Sequence, residues 1–282
     1  MKRKLTAFAV ASIFLAAASA STAFAIQKTK SEPLFAEKTA GEKPSERFGF
    51  TRAQWESTLV ELPASIRNAI HSDEELFFKE MEEILDTHPS FFVHIDAQTP
   101  VEPIDCRPAD LVDLSGYSVE INKPMQLRKA AAEAFAALSQ AAAADGIRIF
   151  AVSGYRTYDY QKRLYDRLKT DVGKAGLPVS AAPGHSQHQT GLAMDFNSLE
   201  QDFDETPEGL WLKAHAADFG WSLSYPEEFE TLTGYDYEPW HFRYLTAAAC
   251  RLQKRFFADI QFYLTRYLHD WYGFYKEFRI NE

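Results

Sequence analysis

The sequence predicts an α+β fold, a small antiparallel sheet with flanking helices, with extra helical segments at both ends. Three observations carry this. Helical and strand-like segments are mixed without the regular βαβ alternation of a parallel sheet. The helical segments are long and amphipathic or alanine-rich, whereas the strand-like ones run to four or five residues. At 282 residues, 46% of them hydrophobic and 25% charged, the chain is that of an ordinary globular protein with ample material for a core.

Residues 1–25 read as a secretory signal. Lys2, Arg3 and Lys4 form a positive start, residues 5–18 an apolar stretch, and Ala23-Phe24-Ala25 a small-residue cleavage site, with an earlier cut after Ala20 also fitting. The apolar stretch is shorter than the ~20 residues a spanning helix needs, so no stable membrane insertion is expected beyond the signal. The predicted destination is outside the cytoplasm, periplasmic or extracellular and associated with the cell wall. Removing this segment takes away three basic and no acidic residues, so the formal net charge moves from −10 to −13. A surface that acidic argues against nucleic acid as a partner.

Residues 26–47 are polar and lack apolar periodicity, which predicts a flexible linker. Residues 48–87 form a helical segment, in which Ser72 and Glu75 have capping-box spacing and His88-Pro89 follows as a stop. Residues 91–95 (FFVHI) read as a strand and residues 99–108 as a proline-containing loop. A helix is predicted over 125–145, ending at Gly146, then a strand over 148–152 and a helix over 158–170. A short strand over 192–196, a helix over 207–219 stopped by Gly220, and a strand over 240–244 complete a domain spanning 88–246. The remaining residues, 247–282, form an unusually aromatic helical extension that includes Phe256, Tyr267 and Trp271. At helical spacing these rings are expected to pack against the domain or its N-terminal helices. Cys106 and Cys250 are the only cysteines, which leaves one disulfide open and argues that any metal is held by nitrogen and oxygen.

Chemistry concentrates in three segments. In SQHQTGLAMD, residues 186–195, His188 and Asp195 flank a bend at Gly191, and a chain that turns there and returns as a strand can bring an imidazole and a carboxylate together. In EPWHFRY, residues 238–244, Glu238 and His241 are separated by a rigid proline, so one can hold a metal while the other faces a reacting water. Zinc suits His188, Asp195 and His241, since two neutral imidazoles and one carboxylate leave a fourth position open. Glu238 is then the candidate base. The third segment, SGYRTYDYQ over 153–161, supplies Arg156, whose guanidinium would stabilise negative charge developing on a carbonyl oxygen. His185, three residues before His188, is left outside the ligand set as a pocket or supporting residue.

In this order and spacing, the three segments resemble those of the zinc D,D-/L,D-carboxypeptidases of peptidase family M15, the VanY and LdcB type of the LAS superfamily. The resemblance runs from about residue 91 to residue 244. It implies a hedgehog/D,D-peptidase-like fold carrying one Zn2+ on His188, Asp195 and His241, with Glu238 as general base and Arg156 as transition-state stabiliser. It further implies that Gln161 and Ser186 bind the carboxylate or backbone of the substrate and that Trp240 lines the pocket. The implied substrate is the D-alanine-ended stem peptide of peptidoglycan. Two other readings remain at this level: an endopeptidase of stem-peptide cross-links, and a non-catalytic, zinc-stabilised cell-wall binding module. The presence of Glu238 and Arg156 argues against the second, since a binder has no need of them.

Overall fold

The computed structural model describes residue 48, residues 51–85, 87–172 and 180–280. The predicted signal and linker over 1–47 therefore lie outside the described residues. Three helices open the described chain: α1 (Arg52–Thr58), α2 (Ala64–Ser72) and α3 (Glu74–Leu85). Thr51 and Gln54 form a reciprocal capping box at the start of α1, with Gln54 N donating to Thr51 Oγ1 and Thr51 N to Gln54 Oε1. The box expected at Ser72 and Glu75 does not form. Ser72 belongs to α2 and its hydroxyl donates back to Ala69 O, while Asp73 between the helices accepts from Leu76 N at 3.1 Å. The break falls one residue later than predicted, where a carboxylate can meet the positive end of α3.

The buried face of α3, including Phe77, Phe78 and Met81, packs on two C-terminal helices, α8 (Ala247–Phe256) and α9 (Gln261–Ile280). The Phe77 ring lies 5.3 Å from Phe256 and 5.9 Å from Tyr267. Trp55 of α1 and Trp271 of α9 are fully buried and Phe256, Phe257, Tyr267 and Tyr272 are buried too, so these rings of the C-terminal segment are core, whereas Phe262 and Tyr263 are half-buried. Among the described residues, no helix is long and apolar enough to cross a membrane.

Between these ends lie two sheets. Strands β1 (Leu111–Asp113) and β3 (Gln126–Arg128) pair antiparallel. The other sheet has the order β2 (Glu120–Ile121), β4 (Phe150–Ser153), β5 (Ala193–Phe196), β7 (His241–Tyr244) and β6 (Trp221–Leu223), antiparallel except for the β2–β4 pair. Helix α4 (Lys129–Ala144) buries Ala131, Phe135 and Leu138, with Phe135 against Phe196 at 5.9 Å. The predicted helix over 125–145 starts late because residues 126–128 are taken by β3. Helix α5 (Tyr158–Val172) follows β4, and α6 (Pro207–His215) continues as a 3₁₀ turn to Gly220, whose φ of 81° only glycine adopts readily. A one-turn helix, α7 (Glu230–Thr233), precedes the segment that leads into β7. Cys106 and Cys250 are both free thiols, so they do not form a disulfide with each other.

Residues 91–95 are not a strand. A 3₁₀ turn occupies Pro89–Phe91, and the carbonyls of Phe91 and Val93 accept from the buried guanidinium of Arg243 at 2.9 and 2.8 Å, which takes the acceptors that pairing would need. The same segment carries Asp96, whose Oδ1 accepts from Gln98 N and Thr99 N at 2.7 and 2.6 Å and whose Oδ2 lies 3.0 Å from His94 Nε2. Burial works against the Asp96 charge, but the His94 bond and the two amides outweigh it and hold the carboxyl well below its usual range. A depressed folded-state pKa adds stability above the unfolded carboxylate value of about 3.9 and loses it as pH falls through the folded value. Asp96→Asn is therefore expected to lower stability at pH 7 by about 1–3 kcal/mol. The deficit should shrink in acid, which urea unfolding at pH 7 and near pH 3 would read directly.

Candidate metal centre

Register brings the site together. Ser153 of β4 pairs with Asp195 of β5, and Asp195 pairs with His241 of β7, so three adjacent strands present these side chains side by side. His188 reaches the same place from a 3₁₀ turn, Gln187–Thr190, that runs into β5 through Gly191. Gly191 has φ 68°, a left-handed conformation that glycine adopts without strain, and a Cβ there would crowd the Leu111 side chain at 2.8 Å. His188, Asp195 and His241 are each 3% exposed, and one ligand atom from each lies within 4.8 Å of the others.

The hydrogen bonds decide which ring nitrogens face inward. His188 Nδ1 is 2.8 Å from Gly154 O, a group that only accepts, so the proton sits on Nδ1. Its Nε2 then presents a lone pair 3.3 Å from Asp195 Oδ2. On His241, Nε2 is 3.3 Å from Gln187 Oε1 and Nδ1 is 3.0 Å from Asp195 Oδ1. With a proton on Nε2, a second lone pair faces the carboxylate. Two lone pairs aimed at an anion repel unless a cation lies between them. Ligand atoms of a tetrahedral zinc site with bonds of ~2.0–2.1 Å lie about 3.3 Å apart; here the two nitrogens lie 3.3 and 3.0 Å from opposite oxygens of Asp195, and the three ligand atoms fall within 4.8 Å of one another. The donor set fits zinc.

Charge around the cluster is graded. Arg156 Nη2 lies 3.2 Å from the buried Asp195 carboxylate and supplies a positive charge beside it. Burial and the nearby Arg156 charge push His188 down to about 4, which keeps its imidazole neutral at pH 7. Glu238 reaches within 3.5 Å of His241 Nδ1 across the turn at Pro239, in which His241 N donates to Glu238 O. Its carboxyl is raised, chiefly by burial and further by Asp195, against the pull of His241 and Arg156.

Arg156 follows β4, its backbone tied to His188 O at 3.2 Å. Its guanidinium donates to Ser153 Oγ at 2.9 Å and to Asp195 Oδ2 at 3.2 Å, which fixes its direction beside the cluster. A cleft of about 420 Å³ opens over these groups, lined also by Ser186, Leu168, Leu199, Tyr235, Tyr237 and Trp240. Ser186 makes no capping bond to the turn it precedes. Gln161 is placed differently from the others. It is fully buried, with Nε2 donating to Ser180 Oγ and Ala181 O at 2.8 and 2.7 Å and Oε1 facing Arg156 Nη1 at 3.5 Å. His185 also turns away from the cluster, its Nδ1 at 2.9 Å from Asp96 O.

Several contributors escaped the sequence reading. Ser153, Gly154 and Gln187 lie inside the quoted segments, but nothing in their spacing assigned them to Arg156, His188 and His241. Tyr225, whose ring centroid is 4.8 Å from that of His241, and the cleft residues Tyr235 and Tyr237 carried no pattern at all.

The family model VanY, described as D-alanyl-D-alanine carboxypeptidase, matches residues 124–247. The YodJ protein of Bacillus subtilis (strain 168) is 32% identical over 215 residues, covering 72% of this chain and 79% of YodJ. The solved structure of the LdcB LD-carboxypeptidase superposes with a TM-score of 0.55 at 33% identity, over 64% of this chain and 87% of LdcB. A vancomycin-resistance D,D-pentapeptidase VanY, solved as a glutamate-to-alanine mutant in complex with Zn(II), superposes with a TM-score of 0.50 at 25% identity, over 64% of this chain and 99% of that one. With matches running through both metal segments and the mixed sheet that carries them, the chain belongs to the VanY family of D-alanyl-D-alanine carboxypeptidases, metallopeptidases of family M15.

Proposed function

We propose that this protein is a zinc-dependent carboxypeptidase, D,D- or L,D-, that removes the terminal D-alanine from peptidoglycan stem peptides outside the cytoplasm. The observation that carries the zinc reading is the pair of imidazole lone pairs converging on the Asp195 carboxylate, each set by a partner on the far side of its ring. When bound there, zinc supplies Lewis acidity that acidifies water and polarises the scissile carbonyl. Glu238, with a carboxyl raised by burial, accepts the proton of the attacking water and returns it to the leaving amine. Arg156, held by Ser153 and Asp195, faces the negative charge that develops on the carbonyl oxygen.

Ser186 and Trp240 at the cleft surface are the proposed substrate contacts. Gln161, with its amide committed to Ser180 and Ala181, acts by holding that segment and steadying Arg156. Export by the N-terminal signal would bring the enzyme to its substrate.

Mass spectrometry of products from defined tetra- and pentapeptide muropeptides tests the reading. A monomer shortened by one D-alanine is expected, from the pentapeptide for D,D cleavage and from the tetrapeptide for L,D. Uncoupled dimers would replace this with an endopeptidase. Intact substrates in the presence of a zinc-loaded protein would overturn the assignment as an enzyme.

A further inference from the structure

α9 lies beyond the residues 124–247 that match the family, yet Gln261 in its first turn is joined to His241 through one intervening side chain. Gln187 Oε1 lies 3.3 Å from His241 Nε2 and accepts from Ser224 Oγ at 2.8 Å. Gln187 Nε2 donates to Gln261 Oε1 at 3.1 Å. Gln261 Nε2 donates to Ser222 O and to Ser224 Oγ, both at 3.1 Å. All five residues are buried.

The polarity of this chain has a single solution. The Ser222 carbonyl on β6 can only accept, so Gln261 must turn its NH2 toward it. Its carbonyl oxygen therefore faces Gln187, which must answer with its own NH2. Gln187 is left presenting its oxygen to His241 Nε2, and an oxygen there requires a proton on that nitrogen. The lone pair then falls on Nδ1, the atom beside Asp195 and Glu238. Reversing either amide would set oxygen against oxygen or N–H against N–H inside a buried network.

We infer that Gln261 and Gln187 are positioning residues that select the tautomer and orientation of the His241 imidazole, making the C-terminal helix a working part of the metal centre. This rests on the zinc reading above. Partners that fix a metal-binding histidine through its other nitrogen typically change metal affinity by 10–100-fold when removed. Zinc-free protein should be titrated with zinc against a chromophoric chelator, and the cobalt(II)-substituted form examined by its visible bands.

Gln261→Met keeps volume and removes the amide, and is expected to raise the zinc Kd by about 10–100-fold and to alter the cobalt bands. Thr265→Val lies one turn further along the same helix. It removes the Thr265 hydroxyl's bonds to His94 and to the Gln261 backbone carbonyl but leaves the Gln261 and Gln187 amides in place, so zinc affinity and spectrum should stay as in the wild type. Wild-type affinity and bands in Gln261→Met would overturn the inference, as would an equal loss in Thr265→Val, which would mean general loosening of α9. Should Gln261→Met fail to fold, Gln187→Met removes the acceptor that faces His241 directly and carries the same expectation and the same refutation. Failure of the wild-type protein to bind zinc, or binding unchanged in His188→Ala, would instead overturn the metal reading and this inference with it.

Discussion

Glu238→Ala is expected to lower the rate of D-alanine release by about 10²–10⁴-fold, the usual contribution of a positioned general base, while zinc stays bound at the wild-type ratio. The two halves of this outcome come from different features of the geometry. The ligand atoms of His188, Asp195 and His241 form a closed cluster without Glu238, and the partners that orient the two imidazoles, Gly154 and Gln187, do not involve it either. Glu238 sits to one side, 3.5 Å from His241 Nδ1, on a turn stiffened by Pro239. Burial raises its carboxyl from the ordinary range and so strengthens it as a proton acceptor. Glu238→Gln, which keeps the shape and loses the proton-accepting charge, should match the alanine variant in rate. Metal content by plasma emission and release of D-alanine from a pentapeptide measure the two halves separately. Undiminished release would remove Glu238 from the role of base.

Chelation of the metal is expected to abolish activity reversibly, and Asp195→Asn to abolish it without rescue by added zinc at concentrations that restore the chelated wild type. Asp195 is the shared partner of the cluster, with His188 Nε2 at 3.3 Å, His241 Nδ1 at 3.0 Å and Arg156 Nη2 at 3.2 Å around one buried carboxylate. An amide there removes one of three ligands and the charge that balances the cation, which costs affinity beyond the roughly 10–100-fold typical of outer partners. It also leaves the Arg156 guanidinium without its counter-ion. Arg156 would lose direction as well as charge balance. Full activity in Asp195→Asn would show that the ligand set has been misread.

Much of this site could be read from short stretches of chain. SQHQTGLAMD announces a turn at a glycine between a histidine and an acid, and the structure forms that turn with Gly191 at a φ of 68°. The proline between Glu238 and His241, and the strand leading to Arg156, are local in the same sense. The helix over 158–170 is legible from its 3.6-residue period, and that over 207–219 from Pro207 at its start and the glycine stop at Gly220. Strands of two or three residues do not repeat their period even twice, so β1, β2, β3 and β6 left no trace. The segment over 91–95 misled because its run of aromatic and β-branched residues is strand-like, while its carbonyls are claimed by Arg243 from about 150 residues away.

Side-chain chemistry and local turns are properties of neighbouring residues, so two histidines and a carboxylate able to hold a metal, with a glutamate and an arginine in nearby motifs, could be picked out from the order of the chain. Which atoms of those residues point inward is a property of register and of partners distant in sequence. Pairing of β4, β5 and β7 sets Ser153, Asp195 and His241 in a row. Gly154 decides the proton on His188, and Gln187, held from α9 by Gln261, decides the proton on His241. A hydrogen bond acts over about 3 Å and depends on which end of an amide is presented, so only the folded arrangement could determine it.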